Sequence, residues 1–370
     1  MLVKNNYNEC LTNLACSIRK YFGLEVKHNT LYYIDEILND YKPKNVILIL
    51  FDGMGSKILD RTLGEDSFFR KNKLKDITSV FPATTTDATT SIRTGLNPVE
   101  HGWLGWNTYI APIDKTITLF LNTVKGKSEI CNEFLKVKDK LVLSTIEQEI
   151  NINTNYNSIE LFPFGKNKYN NFDDMLNKIL EETKKEGKRF IYAYDDEPDG
   201  SMHEFGNDND CVKELIKVRD KKICELCNKL EDSIVIVVAD HGHINVEPLF
   251  LKDYPEIYNL LERTTSLEQR AISFKIKDEN KELFEKLFND FFGNYFKLYK
   301  KQDIIDSNLF GDGEQNELFD SAIGDYIALA ENSNKCILVD GDELLKSQHA
   351  GYTDDEILVP LILKKTNKKF

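Results

Sequence analysis

Three aspartates and three histidines stand at or beside the ends of apolar runs in this chain, and their types suit metal chemistry. Asp52 follows Val46–Phe51. Asp240 and His241 follow Ser233–Ala239. Asp199 and His203 lie four apart just beyond Arg189–Tyr194, and His349 precedes the last apolar run. Five of the six histidines lie in or beside such loops, with only His28 apart, which a random surface scatter would not produce. Carboxylate and imidazole donors together suit Zn²⁺, and Mn²⁺ or Fe²⁺ can use the same types. Six donors are too many for one tetrahedral catalytic ion, which keeps a position open. Two divalent ions with three protein donors each leave room for a nucleophile and a substrate. Such a pair answers what phosphoryl transfer needs, an activated attacking oxygen and a stabilised leaving oxygen.

The second chemical signal is the stretch VFPATTTDATTSIRTG, residues 80–95, with six Thr and one Ser in eleven positions. Pro82 fixes its own φ and biases Phe81 away from the helical region, so an extended approach is expected. Thr84 with Asp87 three residues later reads as a capping-box helix start, and Gly95 as the stop. Free N–H groups of a first turn and the positive dipole end favour an anion, above all a phosphate. Thr-rich caps are common, so this stretch gains weight only from the metal donors.

Several elements have to position these residues. Val46–Phe51 has the pattern of a strand buried on both faces, with an acid at the edge where open α/β sheets bind ligands. Three apolar strands ending in acid, interleaved with helices at Asp173–Lys188 and about 208–230, predict a mostly parallel sheet. Helices are also expected over residues 7–22 and Thr30–Asp40. Residues 110–160 are mixed. Residues 255–345 read as a smaller α+β insert or cap, with strands at Ala271–Ile276, near Tyr295–Tyr299 and at Tyr326–Ala330, and a helix at Lys281–Phe292. The catalytic domain then comprises residues 1–254 and 346–370. Ile357–Leu363 is the last strand, and Lys364–Phe370 reads as a solvated end.

Bulk properties narrow the partners. A chain of 370 residues, 41% hydrophobic and 29% charged, has ample material for a globular core. Its net charge of −13 argues against a polymeric nucleic-acid partner but leaves room for a small phosphate ester held through metal ions. Seven scattered cysteines make no disulfide framework, and Cys224 and Cys227 read as helix residues rather than a redox pair. The N-terminal residues form neither a signal peptide nor a membrane span, so a cytoplasmic location is the expectation.

In chain order, the segments FDGMG, FPATTTDATTSIRTGLNPVEHGW, EPDGSMH, ADHGH and QHAGY resemble the nucleotide pyrophosphatase/phosphodiesterase branch of the alkaline phosphatase superfamily. The resemblance runs over about residues 45–363. It implies an alkaline-phosphatase-like α/β/α sandwich and a di-zinc hydrolase. Carried over, Asp52, Asp240 and His241 hold the nucleophile-side ion, and Asp199, His203 and His349 the second. Thr85 matches the nucleophile and a ligand of the first ion, with Thr84 and Thr86 one place away. The implied reaction passes through a phosphothreonine in two in-line displacements. The family's Asn for the non-bridging oxygen directly follows the Gly, where this chain has Trp106, so Asn107 is the expected donor. An aromatic that often follows the nucleophile is replaced by Thr86, leaving Trp103, Trp106 or Phe164 as candidate platforms for a base. His101 and His243 read as supporting or structural, and Arg93 as a helix-face residue. A phosphodiesterase or nucleotide pyrophosphatase leads. The alternatives are a phosphomonoesterase, phosphonate hydrolase or phosphomutase on the same scaffold, or a non-catalytic metal- or phosphate-binding protein.

Overall fold

Runs of Val, Ile, Leu and Phe build the central sheet. The strands Asn45–Phe51, Arg189–Asp195 and Ser233–Ala239 are buried along their whole length, as strands covered on both faces are. Each buried aliphatic or Phe side chain contributes roughly 1.5–3 kcal/mol relative to exposure. The computed structural model describes residues 5–141 and 144–368. Its six-stranded sheet runs in the order Lys73–Thr78, Leu358–Lys365, Ser233–Ala239, Asn45–Phe51, Arg189–Asp195, Asn157–Leu161. The last four are mutually parallel, and Leu358–Lys365 is antiparallel to both of its neighbours. The mostly parallel α/β expectation holds.

The register matters for the site. Phe51 lies opposite Asp195 on one side and Ala239 on the other. Asp52 and Asp240 therefore leave adjacent strands at the same level, on strands that neighbour each other at about 4.8 Å. Long helices cover the sheet. Leu11–Tyr21 packs on Thr85–Thr94, and Asp210–Lys229 packs on Phe172–Lys184 and Ser56–Thr62. Cys224 and Cys227 on the 210–229 helix are free thiols.

A second, antiparallel sheet has seven strands. Residues 266–329 supply four, among them Ala271–Phe274 and Tyr326–Leu329. The other three are Asn107–Ile110, Lys115–Thr118 and Thr123–Val124, the last two from the 110–160 stretch that the sequence left unorganised. A core cluster ties this sheet to the site-bearing loops, joining Phe81, Ala83 and Leu104 with Leu267, Ile327 and Tyr352. The C-terminal lysines do not simply trail into solvent. The strand extends to Lys365, the Tyr41 hydroxyl donates to the Thr366 carbonyl, and Asp232 N–H donates to the Asn367 carbonyl. Phe370 lies outside the described residues.

Arg270, fully buried in the turn before Ala271–Phe274, clamps the Glu356 carboxylate through two bonds of 2.6 and 2.9 Å. Glu356 in turn accepts from the Gly351 and Thr353 N–H groups in the loop that carries His349. Burial alone would push the Glu356 carboxyl up, but Arg270 and the loop donors hold it below its ordinary value. We predict that Arg270→Leu, which strands a buried carboxylate, costs about 3–5 kcal/mol in urea unfolding. A loss below about 1 kcal/mol would show that the pair does not anchor this loop.

Candidate active site

The Thr-rich helix spans Thr85–Thr94. It ends on Gly95 at φ +76°, a left-handed stop that suits glycine. Thr84 holds the position before the helix, but the expected capping box does not form. The Asp87 carboxylate instead accepts from Gly105 N–H at 2.6 Å and from the Thr86 hydroxyl at 3.0 Å. It thereby ties the helix to the loop after His101. Thr85 is the first helical residue, and its Oγ1 stands 3.2 Å from His241 Nε2 and 3.5 Å from both Asp52 carboxylate oxygens.

Five of the six expected metal donors meet around this hydroxyl in two overlapping groups. Asp52, Asp199 and His241 form one, and Asp199, His203 and His349 form the other together with His243. Asp240 lies alongside, its Oδ2 3.7 Å from His241 Nε2, while its Oδ1 accepts from Gly53 and His241 N–H. The helix Asp199–Phe205 presents Asp199 and His203 on one face, with Oδ1 and Nε2 3.3 Å apart. His349 arrives from the loop beyond Ser347–Gln348 and donates to the Ala83 carbonyl through Nδ1, at 3.2 Å.

Electrostatics asks for a cation here. Burial pushes both the Asp52 and Asp240 carboxyls well above their ordinary range, with repulsion from Asp199 adding at Asp52 and repulsion from Asp52 adding at Asp240. Asp199 goes the other way: despite burial, the His203 and His243 rings hold it low. His203 is raised to about 9 because its contact with Asp199 outweighs the burial that opposes it. Among the described residues these three carboxylates have imidazoles as ion-pair partners but no Lys or Arg, and Asp240 Oδ2 has no hydrogen-bond donor. Divalent cations would satisfy both the charge and the orphaned oxygen, so the donor set fits metal binding.

Above the hydroxyl opens a cavity of about 710 Å³. Asp52, Thr85 and Asp199 line it, with Trp103, Trp106 and Phe120 from one part of the chain and Phe162 and Phe164 from another. Phe162 and Phe164 stack with centroids 5.1 Å apart. Arg93 also lines it, but its guanidinium is taken by Glu147 and Glu160. Asn107 is not brought to this cavity. Its Oδ1 accepts from the Thr118 hydroxyl at 2.8 Å, and it lines a small separate crevice with Lys125 and Glu268. His101 is wholly buried between Ser91 and Trp103 N–H, and burial drives its ring down to about 3.

Sequence reasoning missed Tyr194. Its hydroxyl donates to Asp52 Oδ2, which pins the carboxylate beside Thr85. Only the strand register, which sets Tyr194 opposite Leu50, could have suggested it.

An α/β sandwich with Asp and His donors at its strand ends, gathered round a helix-starting Thr, defines a metal-dependent hydrolase. The chain belongs to the type I phosphodiesterase/nucleotide pyrophosphatase family, whose model matches residues 46–350. Its fold is the alkaline-phosphatase-like one, shared with human ectonucleotide pyrophosphatase/phosphodiesterase 5. That similarity has a TM-score of 0.64 and 20% identity, over 88% of this chain and 90% of that one. The murine protein gives a TM-score of 0.65 at 18% identity over 88% of each chain. An inactive threonine-to-alanine variant of it, in complex with AMP, gives 0.64 at 18% identity over 87% of each. No curated protein matches the chain. No helix among the described residues is long and apolar enough to cross a membrane.

Proposed function

We propose that this hydrolase cleaves phosphodiester or pyrophosphate bonds of small, nucleotide-like substrates by a two-step displacement on Thr85. The observation that carries the reading is the Thr85 hydroxyl, 3.2–3.5 Å from His241 and Asp52 in an aromatic-walled cavity. Asp52, Asp240 and His241, with Thr85, would hold one cation, and Asp199, His203 and His349 a second, with zinc favoured by the donor types. Such ions supply activation of a hydroxyl nucleophile and charge stabilisation for a departing oxygen. Thr85 Oγ gives up its proton and attacks phosphorus as the bond to the leaving oxygen breaks, giving a phosphothreonine that keeps the substrate's other ester. Water entering from the vacated side then releases the monoester and restores the Thr85 hydroxyl. Tyr194 keeps the Asp52 carboxylate beside the hydroxyl, and Gly53 N–H fixes the Asp240 carboxylate next to His241. With Asn107 elsewhere, the first-turn N–H groups of Thr85–Thr94 are the donors for a non-bridging oxygen.

The aromatic walls favour a flat group on the substrate. The solved neighbour named as an AMP complex supports that choice. Stacking of this kind is worth roughly 1–3 kcal/mol per base. We therefore expect Phe164→Ala to lower kcat/KM on a nucleotide diester about 5- to 100-fold, with little change on a small alkyl aryl diester. Equal losses on both would remove the base-stacking role. The function itself is tested by comparing rates on aryl phosphate diesters, monoesters and phosphonates with zinc-loaded protein. The diester should dominate; a dominant monoesterase, or no turnover of any ester, would overturn the reading.

A further inference from the structure

Each of three imidazoles at the second cation position has its Nδ1 already engaged. His203 Nδ1 is 2.7 Å from the Ser347 carbonyl, His349 Nδ1 is 3.2 Å from the Ala83 carbonyl, and His243 Nδ1 is 3.0 Å from the Ser347 hydroxyl. That leaves the Nε2 atom of each ring for a ligand, and two of them are turned toward one carboxylate. His203 Nε2 and His243 Nε2 stand 3.3 and 2.5 Å from the same Asp199 Oδ1. One donor atom from each of Asp199, His203, His243 and His349 lies within 4.8 Å of every other. We propose that His243 is a fourth protein donor at this position, completing a three-imidazole, one-carboxylate shell, and that Ser347 orients two of its rings.

Two features outside the cluster support the assignment. The His243 ring is wholly buried and packed against Gly53: a Cβ there would fall 2.9 Å from its Cδ2, the carbon bonded to Nε2. Gly53 at φ +72° thus lets the Asp52 loop close over the ring and fix its direction. On the other side, Ser347 is held by antiparallel pairing with Asn245, two residues beyond His243. The short ladder therefore sets carbonyl, hydroxyl and ring in one frame. The shell also differs in kind from its neighbour. Four protein donors grip the ion more firmly than three, and expansion to five-coordination would still admit a departing oxygen, whereas Asp52, Asp240 and His241 leave a position for Thr85. The second ion is accordingly the tighter of the two.

The inference rests on the two-cation reading, and the experiment separates their failures. Metal-free protein receives one equivalent of Co²⁺, and proton NMR counts the exchangeable, paramagnetically shifted imidazole N–H signals. Three signals are expected, His243→Ala should remove one of them, and Co²⁺ affinity should fall at least about 100-fold. Ser347→Ala, which keeps the carbonyl and deletes the hydroxyl, should weaken the ion about 10- to 100-fold, as loss of a partner behind a ligand does. Two signals, or three that survive in His243→Ala, would show that His243 only buttresses Asp199. One signal would place the first ion at His241 and overturn the order of affinity. No binding at all would remove the two-cation reading itself.

Discussion

Thr85→Ala is expected to lower kcat on an aryl phosphodiester by on the order of 10⁴-fold or more, while leaving the fold and the bound ions in place. Deleting a covalent nucleophile removes the path rather than one interaction along it, so the loss should exceed that from any wall residue. The folded state gives up little. The Thr85 hydroxyl makes only long contacts, to Asp52 and His241, and Thr84 holds the position before the helix. Thr86→Ala and Thr84→Ala are the controls for a one-residue slip. The Thr86 hydroxyl is spent on Asp87, so its removal should cost stability more than chemistry. Acid quenching during turnover should trap the phosphoryl group, still carrying its second ester, on Thr85 in the wild type alone. Retention of more than a tenth of the activity in Thr85→Ala, or trapped phosphate on a neighbour, would sink the assignment.

The main sheet and most donors were legible because each depends on short-range pattern. A run such as Ile234–Val238 can only be a buried strand or a buried helix segment, and its brevity and β-branching decide for strand. An acid at such a run's end then falls on the ligand edge whatever the rest of the chain does. The illegible features are those fixed by partners distant in sequence. Asp87 looked like a reciprocal cap for Thr84, yet Gly105 N–H, 18 residues on, competes for it and wins. Asn107 stood one place from the family position. Pairing with Thr118 and Leu267 commits it to the second sheet, and no local pattern encodes that pairing. The family motif gives the His243 position no ligand role, and its proposed role comes from three-dimensional placement alone. Its ring direction depends on Gly53 and Ser347, which lie far away along the chain.

Removal of the cations is the second large effect, and Asp240 is where it can be made specific. Dialysis against a strong chelator should abolish turnover, and zinc should restore it. On the proposed mechanism the ions would offset charge on both the attacking and leaving oxygens, which is worth several kcal/mol and therefore about 10³-fold or more. Asp240→Ala should mimic half of this, with activity lost and about one ion per chain missing. The substitution should not unfold the protein. In the metal-free chain the Asp240 carboxyl is buried among acids and pushed up by burial and by Asp52, so removing it relieves repulsion. The sign of the stability change then depends on metal. Without cations Asp240→Ala should be neutral or stabilising, and with saturating zinc it should be destabilising, because the native state loses a bound ion. Thermal melts with and without zinc read both signs. A variant destabilised equally in either condition would mean that Asp240 serves the fold through its bonds to Gly53 and His241 rather than through an ion. Full activity after complete chelation would remove metal catalysis from the account altogether.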